Sequence, residues 1–117
     1  MKLVIIESPY AGDTEEEIKE NVLYARLCIK DSLGRGEAPI ASHLLYTQEG
    51  ILDDAIPEQR RQGINAGLAW LIHADISAVY TDRGITKGME KGINSAEFRQ
   101  VCIEFRTLYD EPNPILS

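Results

Sequence analysis

The chain is predicted to be an α/β domain with a four-stranded parallel sheet in the order 2-1-3-4, covered by helices on both faces. Three observations predict this. Short apolar, often β-branched runs alternate with longer stretches of helical spacing, giving the order β-α-β-α-β-α-β. The 117 residues, 44% hydrophobic and 26% charged, suit one domain with a single core. The apolar run at 76–81 ends in Asp82, passes through a glycine-bearing loop and enters a helix, which is how a ligand site is built at the carboxyl end of a parallel sheet.

Residues 3–7 form the first strand, followed by the loop 8–13. Thr14 caps the first helix, with Glu17 completing a capping box and Glu15 and Glu16 favouring its positive end. Its apolar face is predicted to run through Ile18, Val22, Ala25, Ile29 and Leu33, with Cys28 beside it and Asn21 on the polar side, until Gly34 stops it. Residues 38–41 form the second strand, with residues 42–48 just past its end and an acidic, glycine-bearing loop over 49–56. Pro57 opens the second helix, which continues through Ile64, Leu68, Leu71 and Ile72 to Asp75. The third strand is 76–81, the third helix runs from about Thr86–Gly88 to Phe98, and the fourth strand covers 101–106. The domain is placed at residues 1–108 and an irregular tail at 109–117, where Pro112 and Pro114 break regular structure.

A net charge of −7 argues against DNA, RNA or an anionic membrane as partner, since binding to these rests on neutralising phosphates with Lys and Arg. A small nucleotide remains compatible with it. No apolar run approaches the roughly 20 residues that span a bilayer. The N-terminus reads as a strand and not as a signal peptide, so a cytoplasmic location is expected. Cys28 and Cys102 are expected in core positions as reduced thiols, and His43 and His73 lack metal-ligand spacing. No metal and no cofactor are called for.

Order 2-1-3-4 puts the topological switch point between the first and third strands, so the crevice between loops 8–13 and 82–88 is the expected ligand site. A helix N-terminus there offers unpaired N–H groups and partial positive charge to a phosphate. Asp82 either accepts hydrogen bonds from a sugar hydroxyl or base amine, or caps its turn. Thr86 either caps the third helix or touches a phosphate. Gly88 permits close backbone approach or relieves helix packing. Lys87 and Arg83 are the nearest cations. Tyr10 can stack on a base or pack structurally, Gly12 supplies a turn, and His43 lies near the crevice mouth. Ser8 and Met89 complete the candidate ligand-binding set.

Ile6-Glu7-Ser8-Pro9-Tyr10, then Glu20-Asn21 with Ala25, then Pro39-Ile40-Ala41-Ser42-His43, then Gly84-Ile85-Thr86-Lys87-Gly88-Met89 together resemble the nucleoside 2-deoxyribosyltransferase-like superfamily. Within it, the match is to a small branch common in phage and prophage genomes. The resemblance implies a flavodoxin-like three-layer sandwich, a homodimer or larger oligomer, and a nucleoside or nucleotide as small-molecule partner. It implies that Asp82 matches an assisting acid, Thr86 a phosphate-holding hydroxyl and Gly88 the glycine opening the helix. The attacking glutamate of the catalytic members falls on Gly92, which has no side chain to attack with. Glu90 lies about 200° around the helix from it and cannot substitute. Glu7, at the end of the first strand, sits where relatives usually have a small residue. It is either a replacement acid or a hydrogen-bonded structural carboxylate. Glu7 and Asp82 are therefore the candidate catalytic residues. Three functions follow: a nucleotide-binding protein without the nucleophile, as in a phage protein that sequesters a nucleotide signal in the host cytoplasm; an N-glycosidase or deoxyribosyltransferase with a relocated carboxylate; or a structural or interaction protein.

Overall fold

The computed structural model describes residues 1–109, so the expected tail lies outside the described residues apart from Tyr109. The strands are β1 (Leu3–Glu7), β2 (Ala38–Ile40), β3 (Ile76–Tyr80) and β4 (Cys102–Arg106). All pair in parallel in the order β2-β1-β3-β4, as the alternation of elements requires. Every residue of β3 is buried, which is why it reads as a continuous apolar run. The helices are α1 (Glu15–Gly34), α2 (Ser42–Leu45), α3 (Pro57–Leu71) and α4 (Lys87–Phe98).

Alternation along the strands divides the core in two. Val4, Ile6, Ile76, Ala78 and Tyr80 pack against Tyr24 and Cys28 of α1. Ile5 packs on the other face with Leu71 of α3 and Ala96 of α4. The register places Glu7 beside Val79 and Ile5 beside Ser77, so Glu7 shares the face covered by α3 and α4. The result is three layers, with α1 on one side of the sheet and α3 and α4 on the other.

Several local expectations change. The inward face of α1 is Asn21, Tyr24, Ala25, Cys28 and Ser32, while Leu33 is exposed. The helix is turned so that two polar residues tie the chain at its ends. Asn21 Nδ2 donates to the carbonyls of Tyr10 (3.0 Å) and Ala11 (3.3 Å), and Ser32 Oγ donates to Glu37 (2.8 Å). Apolarity alone selects a different face. Thr14 caps α1 by accepting from Glu17 N, but Glu17 reaches back to Asp13 N and not to the cap residue itself. Residues 42–45 form the short helix α2, and α3 ends at Leu71, before Asp75. Cys102 is exposed, not buried, because α1 packs on β1 and β2 and leaves the outer part of β4 uncovered; Cys28 is buried as expected.

A buried guanidinium closes the α1 side of the sheet. Arg106 in β4 makes a two-pronged pair with Glu37 (2.8 Å to each oxygen), just before β2, and also bonds to Glu104 and Tyr80. Arg106 holds the Glu37 carboxyl below the usual carboxylate range. Tyr80 passes the network on to Asp31 of α1 at 2.7 Å.

Candidate active site

A cleft of about 730 Å³ opens at the carboxyl ends of β1 and β3. Its floor is Ile5, Glu7 and Ser8 of β1 and the residue after it. Its walls are α2, α3 and the first turns of α4. The switch point of the sheet is thus a real depression of ligand size.

The α4 side is built by its cap. Thr86 Oγ1 accepts from Met89 N at 3.2 Å, and the Met89 sulfur accepts from Thr86 N at 3.5 Å. The cap uses a lone pair of the threonine and leaves its O–H free to donate. Thr86, Lys87, Gly88 and Met89 all line the cleft. A Cβ on Gly88 would meet only Thr86 Oγ1, at 3.9 Å, so packing does not demand this glycine.

The floor holds an unusual arrangement. A Cβ built on Gly92 would lie 2.5 Å from Glu7 Oε2 and 2.7 Å from Oε1. The Glu7 carboxyl therefore fills the space that a side chain at position 92 would need. Among the described residues, none donates a hydrogen bond to this carboxyl or pairs with it, and burial pushes it up to about 8. At neutral pH it is chiefly a carboxylic acid. Elsewhere in the same cleft, Ser8 Oγ and His43 Nε2 are 2.8 Å apart, with the donor set by the imidazole tautomer. Burial lowers His43 to about 4, so its ring is neutral.

Of the residues expected at the site, Glu7, Ser8, Tyr10, His43, Thr86, Lys87, Gly88 and Met89 line this one cleft. Asp82 does not join them. Its carboxylate accepts from Tyr24 Oη (2.6 Å) and Leu108 N (3.0 Å), which fastens the loop to α1 and the end of β4. Gly12 lines an adjoining groove of about 640 Å³, where the loop presses so close to Glu17 that a Cβ would fall 2.7 Å from Glu17 Cβ. Arg83 turns toward α1, bonding Asn21 (3.0 Å) and Glu20 (3.3 Å).

Sequence reasoning missed the α3 wall and the second turn of α4: Arg60, Gly63, Ile64, Gly67, Lys91 and Asn94 also line the cleft. A signal was present. Gly63 and Gly67 lie four apart on one helix face, where glycine costs stability unless a neighbour needs the room. A Cβ on Gly67 would lie 2.5 Å from Ser42 Oγ, so this glycine lets α2 seat against α3. Tyr46, just after α2, accepts a 3.0 Å bond from Trp70 Nε1 at the rim.

No curated protein matches the chain. Among solved structures, it is similar to the 2-deoxyribosyltransferase of the psychrotolerant bacterium Bacillus psychrosaccharolyticus, with 15% identity and a TM-score of 0.62. The match covers 97% of this chain and 77% of that one, and the likeness is one of fold. A family model described as a domain of unknown function, DUF7768, matches residues 2–106. Since that match spans every described strand and helix, the chain belongs to the DUF7768 family.

Proposed function

We propose that the cleft binds a nucleoside or nucleotide. The observation that carries this reading is the cleft itself: a ligand-sized depression at the switch point, with the amino end of α4, Tyr10 and the cations Lys87, Lys91 and Arg60 along its walls. Tyr10 offers an aromatic face to a base, and Thr86 O–H with the first N–H groups of α4 faces a phosphate. The fold likeness to a 2-deoxyribosyltransferase supports the ligand class. The deoxyribosyltransferase-like sequence pattern adds that Gly92 stands in place of the attacking glutamate. On the same pattern the protein is a homo-oligomer of phage origin that sequesters a nucleotide signal in the host cytoplasm, without acting on nucleic-acid polymers. Light scattering tests the oligomer.

Calorimetry and thermal melting with a panel of nucleosides and nucleotides test the binding. A ligand at 100 times its dissociation constant should add about 2.7 kcal/mol to stability. No shift with any member would reject the reading.

A second reading, cleavage of the N-glycosidic bond, is favoured by one observation. The Glu7 carboxyl occupies the side-chain space of position 92, so a carboxyl is delivered to that point of the cleft from β1 instead of from α4. Release of free base above background from a bound nucleotide would establish this activity, and Glu7→Gln should abolish it.

A further inference from the structure

We infer that Glu7 and the Ser8–His43 pair form an acid–base couple that splits a β-N-glycoside of a nucleobase by direct attack of water, with no glycosyl-enzyme. This rests on the second reading above and specifies its chemistry. Position 92 is glycine, so α4 supplies no attacking carboxylate there. The carboxyl that takes up the space comes from Glu7, which lies against the Gly92 backbone with no hydrogen-bond partner among the described residues. A neutral carboxylic acid is a poor nucleophile and a good proton donor. Ser8 is 5% exposed and its hydroxyl is bonded to His43 at 2.8 Å. With the imidazole proton on Nδ1, Ser8 O–H donates to Nε2 and its oxygen accepts from a water in the cleft. Burial shifts the two titrating groups in opposite directions, which leaves one acid protonated and one base unprotonated in the same cleft.

The step balances. The Glu7 proton passes to a ring nitrogen of the base as the C1′–N bond breaks, and the electron pair leaves with the base. Water oxygen bonds to C1′ from the opposite face. The water's proton moves to Ser8 Oγ as the serine proton moves to His43 Nε2. Solvent then carries the proton from imidazolium back to the Glu7 carboxylate. The products are free base and a sugar of inverted configuration. Glu7 is the catalytic acid, and His43 acts through Ser8 as a positioning residue. The charged groups lining the cleft around them are Lys87 and Lys91 from α4, Arg60 from α3 and Asp54 from the loop before α3.

The test incubates the purified full chain with β-ribonucleosides, β-2′-deoxyribonucleosides and their 5′-monophosphates in ¹⁸O-water. Free base is followed by chromatography, and the anomer by NMR before mutarotation. The expected result is base release, ¹⁸O at C1, the α-anomer first, and a rate that falls above about pH 8 and below about pH 4. Glu7→Gln should lower kcat by about 100-fold or more and remove the alkaline limb. Ser8→Ala should lower kcat with KM held and displace the acid limb. If Glu7→Gln does not fold, Glu7→Asp replaces it, with the same loss expected from a withdrawn carboxyl. The β-anomer appearing first, or full activity in the Glu7 variant, overturns the inference. Binding without base release overturns it and leaves the binding reading standing; no binding overturns both.

Discussion

Glu7 carries an energetic signature that is independent of any ligand. Its carboxyl is raised by burial from the ordinary 4.5 to about 8. Between those values the folded chain holds a proton that the unfolded chain has released, so stability falls as pH rises through that window, by up to about 1.4 kcal/mol per unit. His43, lowered from 6.5 to about 4, works the other way: between those values the unfolded chain holds the extra proton, and stability is lost as pH falls. The two slopes offset each other from about 4.5 to 6.5, and the Glu7 loss stands alone from there to about 8. Glu7→Gln should therefore raise the melting temperature at pH 8 and leave it nearly unchanged at pH 4. An equal effect at both values would show that the carboxyl is not held protonated. Gly88 gives a second residue-level prediction. A methyl there meets only Thr86 at 3.9 Å and projects into open space, so Gly88→Ala should hold or raise stability, by up to about 1 kcal/mol, while nucleotide affinity falls in calorimetry. Unchanged affinity would place the ligand away from the amino end of α4.

Between elements, β1 and α4 meet at Glu7 and Gly92, and the two residues must be read as a pair. Gly92→Ala puts a carbon 2.5 Å from Glu7 Oε2 and forces the carboxyl aside. The carboxyl is the unbonded end of a flexible side chain at the edge of an open cleft and swings aside at little cost, so Gly92→Ala should be near neutral, the displacement offsetting a helix-propensity gain of about 1 kcal/mol. In a Glu7→Ala background the clash is gone and the same change should stabilise by up to about 1 kcal/mol. Denaturant unfolding of the four proteins gives the coupling directly, and a value near zero would contradict the contact. This pairing also marks where sequence reading stops. The strands, the Thr14 and Thr86 caps and the strand order all follow from local chemistry and connection rules. The face of α1 does not, because Asn21 and Ser32 turn inward for partners on distant loops that no periodicity reveals. Asp82 stays open in the sequence between a ligand group and a turn cap for the same reason: its partners Tyr24 and Leu108 are far from it in the chain. Most of the cleft's β1 and α4 lining is legible because ligand sites follow the switch point. The α3 wall is hidden in an amphipathic pattern that core packing explains equally well.

Across the whole molecule, Arg106 and Glu37 join the last strand to the turn before β2, the two edges of the sheet. The guanidinium side chain is 2% exposed, so removing its partner strands a charge in the interior. Glu37→Ala should destabilise by about 3 kcal/mol, toward the lower end for a broken buried pair, because Glu104 still reaches Arg106 at 3.0 Å. Chemical denaturation measures this, and a loss below about 1 kcal/mol would reclassify the pair as a surface contact. Since Arg106 holds Glu37 ionised below the ordinary carboxylate range, the pair's contribution is present above about 4.5 and is lost on further acidification. The chain's single tryptophan, Trp70, donates to the hydroxyl of Tyr46, a residue of the cleft wall. The protein thus contains one indole wired to the rim of the chamber. Its emission should report occupancy without any label, and the bond to Tyr46 makes Tyr46→Phe the control that silences the signal while leaving the chamber in place.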